Sequence, residues 1–229
     1  MLFRAFYALP DSIVGLDGQP VNALLGTANL ILREVELHRP RAVVLTFGPD
    51  AASYRTELYP AYHAEREAAM PDALAPQFAL AHDFFEAFAW TVATSEDLEA
   101  DDLLGTYAKR EAEASGHALL LTGDRDMYQC AGERVTVLYV KTRGKGRGAE
   151  EVGPAEVEER YGVPPELVPD FIALRGDPSD GLPGAKGVGP KTAAELLRRH
   201  GSLDVPELCP LLDAAHRRFG AGASDPIPL

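Results

Sequence analysis

Short apolar runs alternate with segments of helical period, and this alternation limits the folds open to the chain more than any other feature. "RAVVLTF" from Arg41 to Phe47, "WTVAT", "ALLLT" and "RVTVLYV" from Arg134 to Val140 have strand length. Before the first of them, "NALLGTANLILREVELH" from Asn22 sets Leu24, Leu25, Ala28, Ile31, Leu32 and Val35 at helical spacing. The alternation predicts an α/β fold with a mostly parallel sheet flanked by helices. Hydrophobic residues are 46% of 229, enough to bury a full core. No apolar run is long enough to span a bilayer, so no membrane partner is expected.

Several segments break the alternation. "RTELYPAYHAEREAAMPDAL" is charged, aromatic and interrupted by Pro60 and Pro71, which reads as irregular helix projecting from the body. "KTRGKGRGAEE" is a basic, glycine-rich loop and the best candidate boundary, dividing an α/β core at 1–148 from a helical region at 149–229. No charged-then-apolar leader opens the chain, and Cys130 and Cys209 lack metal-ligand spacing. Both features fit a reducing, cytoplasmic setting. The net charge of −13 argues against a sequence-general nucleic-acid coat but not against an enzyme that holds cations.

Three acidic clusters carry the chemistry. They are Glu99, Asp101 and Asp102 in "LEADDLL", Asp124 and Asp126 in "TGDRD", and Asp177 and Asp180 in "GDPSD". Asp124 and Asp126 follow a strand, and in extended backbone two residues so spaced point the same way. The carboxyl ends of parallel strands are where ligands bind. Asp177 and Asp180 have the spacing of neighbours on one helical turn. Acids at helix starts are also ordinary caps. Seven carboxylates in one place, however, repel unless cations neutralise them, and oxygen ligands suit a hard ion such as Mg²⁺ or Mn²⁺. Two such ions can clamp a phosphodiester.

"GAKGVGPKT" from Gly184 fails as a P-loop, because Pro190 separates Gly189 from Lys191 and no strand leads in. It reads better as a hairpin between two helices. Gly187 and Gly189 allow the turn, Pro190 suits the first helical position, and Gly201 ends the helix. The backbone amides there, with Lys191 and Thr192, then form a site for a nucleic-acid phosphate.

Together "LFRAFYALP", "YRTELYPAYHAER", "LEADDLL", "TGDRDMYQ" and "GDPSDGLPGAKGVGPKTA" resemble the bacterial 5′→3′ exonuclease and flap endonuclease family, which includes the N-terminal nuclease domain of DNA polymerase I. The resemblance implies a PIN-like core, a helical arch near 53–75 and a helix-three-turn-helix element with its glycine hairpin at 184–192. It implies two-metal hydrolysis of DNA at 5′ ends or flaps, in replication or repair, by a monomer. The implied metal ligands and catalytic acids are Glu99, Asp101, Asp102, Asp124, Asp126, Asp177 and Asp180, with Arg66 at the scissile phosphate. Implied nucleic-acid contacts are Arg4 near the 5′ end, Arg55 and Tyr62 in the arch, and the hairpin, with a K⁺ ion near Val188.

The chain also departs from the family pattern. A strand ending in a metal-binding aspartate precedes the stretch matching "LFRAFY" in the family and is missing here, which leaves neighbouring strand edges unpaired. A start codon assigned too far downstream would explain it. Gly48 stands where a second aspartate is expected, with Asp50 two residues on as a candidate substitute. His63 stands in place of an arch lysine. The rival expectation is therefore a catalytically impaired member that binds branched DNA without turnover. A third is an RNA-directed nuclease of the same broad fold.

Overall fold

The computed structural model describes residues 1–64, 70–141 and 148–204. The elements run α1 (Leu2–Ala8), α2 (Asn22–His38), β1 (Val44–Phe47), α3 (Ser53–Leu58), α4 (Ala75–Glu86), β2 (Thr91–Thr94), α5 (Ala100–Glu113), β3 (Ala118–Thr122), a 3-10 turn (Asp126–Cys130), β4 (Val135–Tyr139), β5 (Glu150–Val152), α6 (Pro154–Tyr161), a second 3-10 turn (Pro165–Leu167), α7 (Val168–Arg175) and α8 (Pro190–His200). The expected alternation is present, and α2 covers the whole periodic segment. Pro60 and Pro71 keep the 53–75 region from forming one helix: α3 stops at Leu58 and turns follow to Ala64.

Among the described residues the strands form two sheets rather than one. β1 pairs with β2 in parallel, Val44 opposite Thr91. β3 pairs with β4 in parallel, Ala118 opposite Val135, and β5 joins β4 antiparallel. β1 and β3 are not hydrogen-bonded to each other. A cavity of about 2150 Å³ lined by residues of both strands opens there and reaches the acidic residues. This opening leaves β1 only half-buried along its length.

Burial follows the same division. One core cluster joins α1, α2 and α4, with Leu24, Ile31, Leu74 and Phe85 at its centre and β1 and β2 against it. The other joins α5, β3, β4, α6, α7 and α8 through Leu120, Tyr128, Val137, Val157, Phe171 and Leu197. α5 packs against both β1 and β3 and so links the two. A methionine- and leucine-sized side chain in either cluster contributes about 1.5–3 kcal/mol through burial. Among the described residues, α6, α7 and α8 share a core with β3 and β4.

Candidate active site

Each acidic cluster is fixed by local geometry. Glu99 is the N-cap of α5, and its amide donates to Asp102 Oδ2 at 3.1 Å in a capping box. Asp101 and Asp102 occupy the first turn, where the helix dipole favours negative charge.

Two local expectations are corrected. Asp124 and Asp126 do not lie on extended backbone. Arg125 between them is helical, and the Asp126 amide donates to Asp124 Oδ1 at 2.9 Å, starting the 3-10 turn. Asp177 and Asp180 do not lie on a helix. They sit in a turn closed by paired hydrogen bonds between Asp177 and Leu182, and Asp177 Oδ1 accepts from the Ser179 amide at 2.9 Å. Aspartates that bond nearby amides favour such turns over regular structure.

The clusters nevertheless meet. Glu99, Asp101, Asp102, Asp124, Asp126 and Asp180 line the large cavity. Burial and then the charges of Asp124, Asp177 and Asp180 raise the Asp126 pKa to about 7. Burial, followed by the charge of Asp124, raises Asp101 to about 6. Asp101 keeps an exposed outer edge, so water screens part of that effect. Carboxylates that repel this way, with oxygen as the donor atom, fit a hard divalent cation.

Part of the negative charge is met by the protein itself. Arg55 reaches Glu99 Oε1 at 2.8 Å and Asp102 Oδ1 at 2.6 Å. Burial works to lower the Arg55 pKa, but bonds to Asp102 and Glu99 outweigh it and raise it. Glu99 Oε1 also accepts from the Ala52 amide at 2.8 Å, and Glu99 Oε2 from the Tyr62 hydroxyl at 3.1 Å. Arg175 pairs with Asp177 at 3.0 Å. Sequence reasoning missed Arg175, although a basic residue two positions before the third cluster was the available signal.

The turn at 59–63 rests on the third cluster. His63 Nε2 lies 3.2 Å from Asp180 Oδ1, its Nδ1 lies 2.8 Å from the Asp50 carbonyl, and its ring stacks on Tyr62 at 3.9 Å. The Tyr59 hydroxyl donates to the Gly181 carbonyl at 3.1 Å. His63 is thus held within the site, its side chain 7% exposed. Arg4 donates from α1 to the carbonyls of Val140, at 3.2 Å, and Gly123, tying α1 to the ends of β3 and β4. Arg66 lies outside the described residues.

Gly48 is accounted for by packing. A Cβ there would meet the Leu98 carbonyl oxygen at 2.2 Å, so the backbone entering α5 occupies the space a side chain needs. At the hairpin, Gly187 has φ +81°, a conformation that favours glycine, and Gly189 is the extended N-cap of α8 with Pro190 first in the helix. Lys191 and Thr192 are exposed, and Val188 is buried. Among the described residues, three ligating side chains with atoms within 4.8 Å occur at His82, Asp83 and Glu86, on the exposed face of α4 and apart from this cavity.

The family comparison decides what this arrangement belongs to. A model of the 5′-3′ exonuclease N-terminal resolvase-like domain matches residues 1–162, and one of the 5′-3′ exonuclease C-terminal SAM fold matches 163–208. The chain belongs to the 5′-3′ exonuclease family. It is 39% identical over 221 residues to a 5′-3′ exonuclease of Mycobacterium tuberculosis, covering 89% of this chain and 69% of that one. It is 38% identical over 207 residues to DNA polymerase I of Mycobacterium bovis, covering 89% of this chain and 22% of the polymerase. The fold resembles bacteriophage T5 5′-exonuclease with bound zinc, with a TM-score of 0.67, 21% identity and coverage of 86% and 78%. It also resembles the catalytic core of Rad2 in complex with DNA substrate, with a TM-score of 0.56, 15% identity and coverage of 99% and 71%. The exonuclease family models divide the chain after 162, whereas the basic loop placed the boundary at 148; β5, which lies between, pairs with β4.

Proposed function

We propose that this exonuclease-family chain is a structure-selective 5′-nuclease that hydrolyses DNA phosphodiesters at 5′ ends or flaps, using two Mg²⁺ or Mn²⁺ ions. The observation that carries the reading is the meeting of acids from three separate elements at one cavity, with Asp101 and Asp126 raised by burial and then by their acidic neighbours. Asp101, Asp124, Asp126, Asp177 and Asp180 would hold the ions, with Glu99 and Asp102 beside them. When bound, the ions supply an activated water and offset charge on the phosphate. Arg55 holds Glu99 and Asp102 in place. Tyr62, His63 and Arg66 belong to the arch over the substrate. The hairpin at Gly187, Gly189, Lys191 and Thr192 grips the duplex backbone without reading sequence, with K⁺ among its carbonyls. The protein works as a cytoplasmic monomer. Among the described residues no helix is long and apolar enough to cross a membrane.

The test is release of a short 5′ product from a labelled flap duplex with Mg²⁺ or Mn²⁺, lost in Asp124→Ala. Absence of cleavage with either metal refutes the reading. A second reading, binding of branched DNA without turnover, is favoured by the backbone that fills the place of a side chain at Gly48. It predicts flap binding that persists in EDTA and no product.

A further inference from the structure

Apart from the acidic cavity, a second concavity of about 850 Å³ is lined by Arg125, Lys141 and Arg160, by Tyr128, Tyr139 and Tyr161, and by Glu150. It carries a local excess of two positive charges in a chain whose net charge is −13. The arginines are held in place. The Arg125 guanidinium lies 5.4 Å from the Tyr139 ring centre, and its Nε donates to the Tyr139 hydroxyl at 3.3 Å. Arg160 lies 5.3 Å from the Tyr128 ring centre and donates to that hydroxyl at 2.6 Å. Glu150 is shared by Arg160 at 2.7 Å and Lys141 at 3.0 Å.

This arrangement is one of donors. Tyr128 and Tyr139 each accept from an arginine, so each retains its own O–H proton to give. The carboxylate is already engaged by two cations. Such a set suits an anion with several acceptor oxygens.

Its position suggests which anion. Arg125 stands between Asp124 and Asp126 in the chain. From the floor of the concavity, Tyr161 stacks on Phe171 at 4.9 Å, Arg175 lies 5.4 Å from the Phe171 ring centre, and Arg175 pairs with Asp177. A polyanion brought to the acidic cavity is repelled by it. A cationic pocket joined to it through Arg125 and through this row of contacts offsets that repulsion. We propose that this concavity is a second phosphate site, which holds a backbone phosphodiester of the DNA strand that enters the acidic cavity. The identity of the strand rests on the nuclease reading.

The experiment measures binding of flap DNA by the full chain in EDTA across a salt series, with Lys141→Gln/Arg160→Gln and the charge-keeping Lys141→Arg/Arg160→Lys. The neutral pair is expected to bind about tenfold more weakly, with the slope of log K against log salt smaller by about 1, while the charge-keeping pair retains the slope. An unchanged slope in a neutral pair that melts like the parent overturns the proposal. Acetylation of Lys141 in the unaltered protein covers the case in which the pair fails to fold. Protection by a single-stranded oligonucleotide, and not by the same concentration of phosphate or dAMP, supports the site. Protection by none of them, or equally by dAMP, overturns it. Because these are binding measurements, a protein that never cuts yet loses slope refutes the nuclease reading alone.

Discussion

Replacing Gly48 by alanine places a methyl group where the chain entering α5 already runs. The added Cβ would lie 2.2 Å from the Leu98 carbonyl oxygen and 2.9 Å from both the Glu99 carbonyl carbon and the Ala100 amide nitrogen. All three are backbone atoms, so no rotamer change relieves the clash. Reaching ordinary contact needs a backbone shift of roughly 1 Å. Gly48 has no positive φ, so backbone strain at the residue itself adds nothing. Overpacking of this kind costs about 1–3 kcal/mol. The shift also loosens the Glu99–Asp102 capping box, and a lost cap costs about 1 kcal/mol. Together these give about 2–4 kcal/mol, or a fall in Tm of about 5–15 °C for a chain of this size. Gly48→Asp, which restores the residue the family resemblance expects, should be at least as destabilised and should bind Mg²⁺ no more tightly. Thermal unfolding with calorimetric Mg²⁺ titration is the assay. An alanine variant melting within about 1 °C of the parent, or an aspartate variant of unchanged Tm and tighter Mg²⁺ binding, would refute the packing argument.

Three further outcomes are expected. In EDTA the protein should lose stability as pH rises from about 4 to about 7: Asp101 and Asp126 have folded pKa values above the unfolded carboxylate value, so their protonated forms favour the fold and that contribution disappears as they ionise. Melting at pH 5 and pH 8 checks this, Mg²⁺ should recover stability at pH 8, and a Tm that climbs between those values in EDTA contradicts it. Arg55→Ala should cost about 2 kcal/mol, because it strips two carboxylates of a shared partner; Arg55→Lys should recover only part, since a lysine cannot span both in the same way. Gly187→Ala, at φ +81°, should cost about 1–2 kcal/mol and weaken DNA binding, whereas Gly189→Ala, at the extended N-cap with nothing within 4 Å of the new Cβ, should cost under about 1 kcal/mol through the weaker cap alone; a larger loss at Gly189 than at Gly187 would argue against the hairpin geometry.

Features encoded within a few residues were legible in the sequence. The spacing of Leu24, Ala28 and Ile31 defines α2, Pro190 and Gly201 bracket α8, and three acidic motifs mark the site. Their convergence was expected from strand ends and helix starts, although the turns that deliver Asp126 and Asp180 were not. A carboxylate can bond an amide two positions away in several backbone shapes, and packing selects among them. Tertiary structure alone decided that Arg55 neutralises Glu99 and Asp102, that His63 turns onto Asp180, and that Gly48 is filled by the backbone at Leu98. Those partners lie tens of residues apart in the chain, where local propensity carries no information. They meet because two apolar cores and the α5 bridge bring distant backbone together.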